Sequence, residues 1–298
     1  MSLLISTPTT DWSREPILGS WSRRGSAPNF GDELAPYLLS VLSRRPVAFS
    51  EARADRGPVY LTVGSVLTRA GKNTIVWGSG MLSREHPPPS RFAEILALRG
   101  PLSLELIQKK FSLTPSEVAF GDPALLLGLL FPEPAKTKFE FGIIPHYVDE
   151  KLVAKALPKR LRKRARVISV STDNVKAFVD AVKSCKTIIS SSLHGLVVAN
   201  ALSRNAAWVS FSDKVMGDGF KFRDYSMAVG LDLQEPFSVQ PDSLGSVRGL
   251  REISKFASGG NLWANYDPQA LIASCPFIDK AVHDQLNLGW ETVKRHRG

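Results

Sequence analysis

One central segment constrains the fold more than any other part of the chain. Residues 187–190 and 207–211 are short apolar runs typical of β-strands. Between them, residues 193–202 repeat apolar side chains at helical spacing. The segment therefore predicts a strand, a helix and a second strand. In open α/β sheets, ligands bind where the strands end and the helices begin.

His194 is predicted to lie in the first turn of the central helix, with Ser191 or Ser192 as the N-cap. Free N–H groups and the helix dipole favour an anion at that point. A histidine in such a position is as often an ordinary surface or capping residue. The serine run before it and Gly195 after it favour a ligand site, because they let the backbone approach a small molecule.

The composition indicates a packed protein with an anionic partner. A length of 298 residues suggests two domains, and a hydrophobic content of 43% supports ordinary cores. The formal net charge of +10 favours nucleic acid, a membrane surface or a phosphorylated substrate as partner. Cys185 and Cys275 are the two cysteines, and we interpret them as buried free thiols of a cytoplasmic protein. The N-terminus lacks the pattern of a secretory signal.

Strands and helices alternate twice along the chain, which predicts an α/β fold with parallel sheets. Two Rossmann-like domains facing each other across a cleft are expected, spanning residues 1–134 and 135–298, with the C-terminal tail packing back on the first. The boundary is placed at the proline-rich residues 132–136, and residues 1–27 are interpreted as irregular. The predicted strands are 59–63, Thr74–Trp77, 95–98, 118–120, Phe139–Ile144 and 167–170, and the predicted helices are 33–42, 102–111, 124–130, 174–184, 267–273 and 277–286.

Polar residues at the predicted strand ends are the candidates for a functional site. They are Asp32, Arg99, Asp122, His146, Asp149, Ser192 and His194, followed by the basic loop 213–225. The glycine-rich nucleotide signatures, the serine-hydrolase elbow and the metal-binding motifs are absent from the sequence, and no metal site is predicted.

Three of these residues also have simpler interpretations. Asp32 can cap the helix that follows it, and Asp122 is more readily a helix cap than a catalyst. Arg99 can be a plain surface charge. Its guanidinium is nevertheless well shaped for bidentate capture of a carboxylate or phosphate.

Six short motifs occur in the order found in the polysaccharide pyruvyltransferase family. They are Asn29-Phe30-Gly31-Asp32, Gly78-Ser79-Gly80, Leu98-Arg99-Gly100-Pro101-x-Ser103, Gly121-Asp122-Pro123-Ala124, Ile144-Pro145-His146-Tyr147 and Ser192-Leu193-His194-Gly195. The chain resembles this family, and most of all its succinoglycan-type members. The resemblance implies a glycosyltransferase-B-like fold. It also implies transfer of pyruvate from phosphoenolpyruvate to sugar hydroxyls of a polysaccharide or a lipid-linked oligosaccharide, forming a cyclic ketal, with no cofactor besides this donor substrate.

This donor has a carboxylate and a phosphate, so its site needs cations and N–H donors, and roles for individual residues follow. His194 is expected to be the general acid and Asp32 the base, while Arg99 and the N-terminus of the helix with Ser192 and Leu193 hold the two anionic groups of the donor. Asn29 and His146 are further expected substrate contacts. Many family members carry Arg where this chain has Ser192. The missing cation is expected from the basic loop, whose candidates are Lys214, Lys221 and Arg223.

Two other functions are compatible with these residues. One is a glycosyltransferase that uses a nucleotide sugar on a related fold, although an acidic nucleotide-binding residue after the central helix is missing. The other is a catalytically inert binding protein, which the serine at position 192 favours. An assay that compares transfer from phosphoenolpyruvate with transfer from nucleotide sugars distinguishes these functions.

Residues 155–166 contain seven basic residues in twelve positions. They can be the solvated face of a helix, or they can contact an anionic bilayer, where each Lys or Arg gains about 1 kcal/mol. A lipid-linked acceptor would lie at such a surface. We therefore expect a cytoplasmic protein associated peripherally with the inner face of the cytoplasmic membrane. Nucleic acid is not expected as a partner, because no recognition motif accompanies the charge.

Overall fold

The strands of the protein form two separate sheets. A computed structural model describes residues 9–23, 28–54, 57–88, 91–112, 117–232 and 235–295. Every pair of strands in the two sheets runs parallel. Parallel neighbours need crossover connections, which helices provide here. The α/β fold with two sheets that the sequence predicts is confirmed.

The first sheet contains six strands in the order β2-β1-β3-β4-β5-β6. They are β1 Ile17–Gly19, β2 Val47–Phe49, β3 Val59–Leu61, β4 Thr74–Trp77, β5 Glu94–Leu98 and β6 Ala119–Phe120. The last four lie where the sequence predicts strands. The first strand corrects the interpretation of residues 1–27 as irregular, since Ile17–Gly19 pairs with both β2 and β3. Strands of three residues are too short to show a period in the sequence.

The second sheet contains five strands in the order β11-β10-β9-β7-β8. They are β7 Phe139–Ile144, β8 Ala165–Val167, β9 Cys185–Ser190, β10 Asn205–Ser210 and β11 Phe237–Ser238. The strand predicted at 167–170 is displaced, because β8 ends at Val167. The N–H of Val170 instead donates to a carboxylate oxygen of Glu150 at 2.9 Å, and its carbonyl accepts from the N–H of Phe30 at 2.7 Å.

Eleven α-helices lie within the described residues, joined in places by 3-10 turns at Leu67–Arg69, Pro123–Leu126, Tyr147–Asp149, Lys159–Leu161 and Pro241–Gly245. The helices are α1 Phe30–Ser43, α2 Pro101–Phe111, α3 Leu127–Leu130, α4 Glu150–Ala156, α5 Val175–Lys183, α6 Leu193–Ala201, α7 Phe220–Ala228, α8 Val247–Ser254, α9 Leu262–Asn265, α10 Gln269–Ala273 and α11 Lys280–Arg295. None of these helices is long and apolar enough to span a membrane.

Helix α1 begins three residues earlier than the apolar period predicts. The side chain of Asn29 caps it, accepting from the N–H of Gly31 at 3.0 Å. The interpretation of Asp32 as the cap is therefore wrong, and Asp32 lies in the first helical turn. This correction leaves the Asp32 carboxylate on the helix surface, beside the ends of the strands.

The C-terminal tail contacts the first half of the chain. The N–H of Asp279 donates to the carbonyl of Leu42 at 2.7 Å. The Trp77 indole donates to the carbonyl of Leu271 at 3.1 Å. The strands of the first sheet precede the linker and those of the second follow it, while the domain boundary between residues 134 and 135 stays a prediction.

Candidate active site

A cavity of about 270 Å³ lies where the strand ends of both sheets face each other. It is lined by the start of α1, the loop after β3, the second residue after β7, the start of α6 and one residue of α7. Seven of the ten predicted site residues line this cavity, namely Asn29, Asp32, His146, Ser192, Leu193, His194 and Lys221. The described residues hold no cluster of three or more His, Cys, Asp or Glu side chains suited to a metal ion.

His194 and Asp122 form the pair at the centre of this site. His194 lies in the first turn of α6, and its side chain is 12% exposed. Its Nε2 atom is 3.7 Å from Oδ2 of Asp122, which is fully buried. Neither atom has a hydrogen-bond partner among the described residues. The two atoms are too far apart for a hydrogen bond, but a carboxylate at this distance attracts a positive charge on the ring.

Asp122 serves the fold and the site with different oxygens. Its Oδ1 accepts from the N–H of Ala124 at 2.9 Å, so the predicted capping role is confirmed. Its negative charge also affects the pKa values of two buried tyrosines. Burial, and then the Asp122 carboxylate, raise the pKa of the Tyr225 and Tyr266 hydroxyls. The Asp122–His194 pair thus lies in an apolar environment, where a charge interacts strongly with its neighbour.

Glycine at position 31 makes room for the imidazole. A Cβ atom added to Gly31 would lie 2.3 Å from Nδ1 of His194, so the start of α1 lies directly against the imidazole of α6 at this point. Gly195 has a different role from the predicted one. A Cβ added there would lie 2.4 Å from Oγ of Ser190 and 2.9 Å from the side chain of Ile144, away from the imidazole. Since Gly31 lines the cavity, Nδ1 is the ring nitrogen on the cavity side.

The N-terminus of α6 presents backbone N–H groups to the cavity. Ser192 occupies the N-cap position, but its hydroxyl makes no capping hydrogen bond. Its own N–H donates to Oγ of Ser190 at 3.0 Å. The first N–H groups of a helix have no partner within the helix, and the helix dipole places partial positive charge beside them. An anion is therefore stabilised next to His194.

Two cations line the cavity, Lys221 from α7 and Arg69 from the turn after β3. Arg69 also donates to the carbonyl of Trp21 at 2.9 Å, which holds its side chain along the wall. The other two candidates of the basic loop do not line this cavity. Lys214 is exposed at the surface, and Arg223 donates to the carbonyl of Asp218 within its own loop.

Arg99 is not on the cavity surface, which corrects the prediction that it holds the donor. Its side chain is completely buried and forms an ion pair with Asp224, 2.8 Å from Nη2 to Oδ2. It also donates to the carbonyl of Met81 at 2.6 Å and to Oγ of Ser65 at 2.8 Å. Ser65 does line the cavity. Arg99 therefore acts behind the wall, as a positioning residue.

The ion pair joins the motif that contains Arg99 to the basic loop that contains Asp224. Asp224 of α7 accepts from the N–H of Ser103 at 2.9 Å and from its hydroxyl at 2.7 Å, at the start of α2. A Cβ added to Gly100 would lie 1.8 Å from the Asp224 carbonyl oxygen. Only glycine permits this close approach of the two backbones.

Comparison with known proteins gives two matches. A sequence model of the polysaccharide pyruvyl transferase family matches residues 29–213, from the cap of α1 to the loop after β10. The chain belongs to the polysaccharide pyruvyl transferase family. It is also 30% identical over 211 residues to uncharacterized protein L143 of Acanthamoeba polyphaga mimivirus, a match that covers 68% of this chain and 72% of that protein.

The sequence-based prediction misses several polar residues that line the cavity. Ser65, Thr68 and Arg69 follow β3, and Ser22 follows β1. The rule that ligands bind after strand ends would have included them. Lys221 lies beyond residue 213, where the family match ends.

Proposed function

We propose that this polysaccharide pyruvyl transferase moves pyruvate from phosphoenolpyruvate to two hydroxyls of a sugar, in an exopolysaccharide or a lipid-linked oligosaccharide precursor, as a cyclic ketal. The observation that carries the proposal is the His194–Asp122 pair beside the free N-terminus of α6. Phosphoenolpyruvate is a small dianionic or trianionic molecule, and a cavity of about 270 Å³ with two cations suits its size and charge.

Donor binding is divided between the two sides of the cavity. The N–H groups at the start of α6, with Ser192, bind one anionic group of the donor. Lys221 and Arg69 bind the other, and thus supply the cation that many relatives carry at the position of Ser192. The Ser65 hydroxyl accepts from Arg99, so its own proton is available to donate to the donor.

In the proposed reaction, His194 donates a proton to the methylene carbon of phosphoenolpyruvate. The double bond is consumed, the methylene becomes a methyl group, and C2 becomes electrophilic. The first sugar hydroxyl attacks C2 and loses its proton to a base. The bond between C2 and the bridging oxygen then breaks, and phosphate leaves with both electrons of that bond. The second hydroxyl forms the second C–O bond and gives its proton to the departing phosphate, so the products are the ketal and hydrogen phosphate.

Asp32 is the proposed base for the attacking hydroxyl. It lies in the first turn of α1, beside Gly31, and lines the cavity next to the imidazole of His194. A carboxylate on this side of the cavity faces the acceptor while the imidazole faces the donor. General acid–base groups typically contribute about 10²–10⁴-fold to a rate.

Turnover of phosphoenolpyruvate with candidate oligosaccharide acceptors tests this function. The readouts are phosphate release and the mass of the product. His194→Ala should lower kcat by about 10²–10⁴-fold, and Asp122→Asn should lower it in the same direction. His283→Ala is the matched control and should retain parental activity, since this histidine of α11 is half-buried and lies outside the cavity. Turnover of nucleotide sugars without turnover of phosphoenolpyruvate would contradict the proposal.

We further propose that the acceptor is reached at an anionic membrane surface through residues 155–166. All seven basic side chains of this segment are exposed. They do not lie on the face of one helix, because α4 ends at Ala156 and the chain continues through a 3-10 turn. They lie instead around the outer strand β8. Arg164 pairs with Glu140, and the remaining charge faces solvent. Peripheral association with the inner face of the cytoplasmic membrane follows from this patch.

Sedimentation with vesicles of phosphatidylcholine, with and without phosphatidylglycerol, tests the membrane proposal. The parent should sediment only with the anionic vesicles, and less at higher salt. Replacing both Arg162 and Lys163 with Glu should abolish sedimentation with the anionic vesicles. Reversing Lys109 and Lys110, an equally exposed pair on α2, should have little effect. Equal sedimentation with both kinds of vesicle would refute the proposal.

A further inference from the structure

A second cavity, of about 500 Å³, lies at the junction of the two halves of the chain. It is enclosed by the proline-rich linker, the ends of α5 and α6, and the last turns of α11. His194 lies at the N-terminus of α6, whereas this cavity lies at the C-terminus of the same nine-residue helix. Such a helix is about 13 Å long, so the second cavity is separate from the candidate active site.

Two cations line this cavity, and neither forms an ion pair among the described residues, although the charges of Asp180 and Glu133 act on Lys183 from a longer distance. Lys183 is 8% exposed, and its Nζ donates to the carbonyls of Phe131 at 2.6 Å and Glu133 at 2.7 Å. Arg204 donates from Nη2 to the carbonyl of Lys183 at 3.0 Å. Within the described part of the chain, neither cation has a carboxylate oxygen within ion-pair distance.

Arg204 also has a buried donor that makes no hydrogen bond. Its Nε is buried and has no hydrogen-bond partner among the described residues. Burial lowers the pKa of both the Lys183 ammonium and the Arg204 guanidinium, which reflects the cost of keeping their charges away from water. Buried charges are normally paired, and a buried unpaired donor usually has an ion, a water molecule or a ligand as partner.

Part of the wall is apolar, beside the polar lining residues Glu133, Ser203, Asn261 and Thr292. Phe131 and Val293 line it, and so does Trp263, whose indole N–H donates to the carbonyl of Ala201 at 2.9 Å. Because that N–H is occupied, Trp263 offers the cavity only its ring. A ligand that fits both parts of the wall has an anionic group for the cations and a flat apolar body for the rings.

We propose that this cavity is a second ligand site for a small organic anion. Lys183 and Arg204 bind the anionic group, and the apolar part of the ligand packs against Phe131 and Trp263. A phosphate or a carboxylate satisfies the same donors, so the test uses one probe of each kind. Phenyl phosphate and benzoate combine the required charge with a planar ring. The site requires no membrane and no sugar, and its occupancy is independent of turnover in the candidate active site.

Isothermal titration calorimetry of the full chain with these two probes tests the proposal. The parent should bind at least one of them. Arg204→Gln removes the free donor, and Val293→Phe fills the cavity while keeping both cations, so each should weaken binding at least tenfold. Arg162→Gln, an exposed arginine elsewhere, and His194→Ala should bind as the parent does.

Three outcomes would overturn the proposal. They are no binding to the parent, parental binding by Val293→Phe, and loss of binding only in His194→Ala, which would place the probe in the active site. Because Val293→Phe leaves the polar contacts of Arg204 intact, it decides the question even where Arg204→Gln does not fold.

Discussion

Replacing Arg99 with Met should destabilise the protein far more than it impairs donor binding. The substitution leaves the Asp224 carboxylate buried without its cation, although the bonds from Ser103 remain. Breaking a buried ion pair by removing one partner costs about 3–5 kcal/mol. This should lower the midpoint of thermal unfolding by roughly 6–20 °C. The matched control is Arg69→Met on the cavity wall, which should keep most of the stability and raise KM for phosphoenolpyruvate.

A double-mutant cycle locates this effect in the pair. Asp224→Leu alone and Arg99→Met alone should each be destabilising, and the double variant should be more stable than the sum of the two effects predicts. A coupling of up to about 3 kcal/mol is expected for residues in direct contact. Circular dichroism during heating provides the measurement. An Arg99→Met protein with parental unfolding and a raised KM for phosphoenolpyruvate would refute the positioning role and restore direct contact with the donor.

Two further results are expected. Gly31→Ala should reduce kcat/KM about 100-fold or more, since the new Cβ would lie 2.3 Å from Nδ1 of His194, whereas Gly245→Ala, with open space around its Cβ, should keep parental activity. Parental activity of Gly31→Ala would contradict the placement of the imidazole. Burial raises the pKa of the Cys185 thiol, and that of Cys275 to about 12, so iodoacetamide at pH 8 should label these thiols only after unfolding. Rapid labelling of the native protein would show that the thiols are accessible.

The sequence predicts the longer strands well, but it misses the short strands β1, β2 and β11. Thr74–Trp77 and Phe139–Ile144 have the predicted bounds because each is a run of apolar residues between clear breaks. By contrast, β1 and β2 have three residues each, and only their pairing partners make them strands. Register with a neighbouring strand is information that a local pattern does not contain.

A site residue can be predicted from the sequence when its place at a strand end determines its role. It cannot be predicted when its role depends on a partner far away in the sequence. His194 and Asp122 both follow strands, so the strand-end rule selects them. The rule selects Arg99 for the same reason, yet its partner Asp224 lies 125 positions later. The sequence shows a charge at a strand end but not its counterion. Nor does it show that Gly31, more than 160 positions before His194, is the residue that makes room for the imidazole.

Arg99 affects the donor site indirectly, through two neighbours. Its Nη1 donates to Ser65 on one wall of the cavity, and its ion pair holds Asp224 of α7. Lys221 precedes Asp224 by three residues, about one helical turn, so a fixed Asp224 also fixes the position of Lys221 on the cavity wall. The same buried guanidinium therefore places a hydroxyl from one half of the chain and an ammonium from the other. This explains how an arginine without access to the donor can occupy a motif that resembles a binding site.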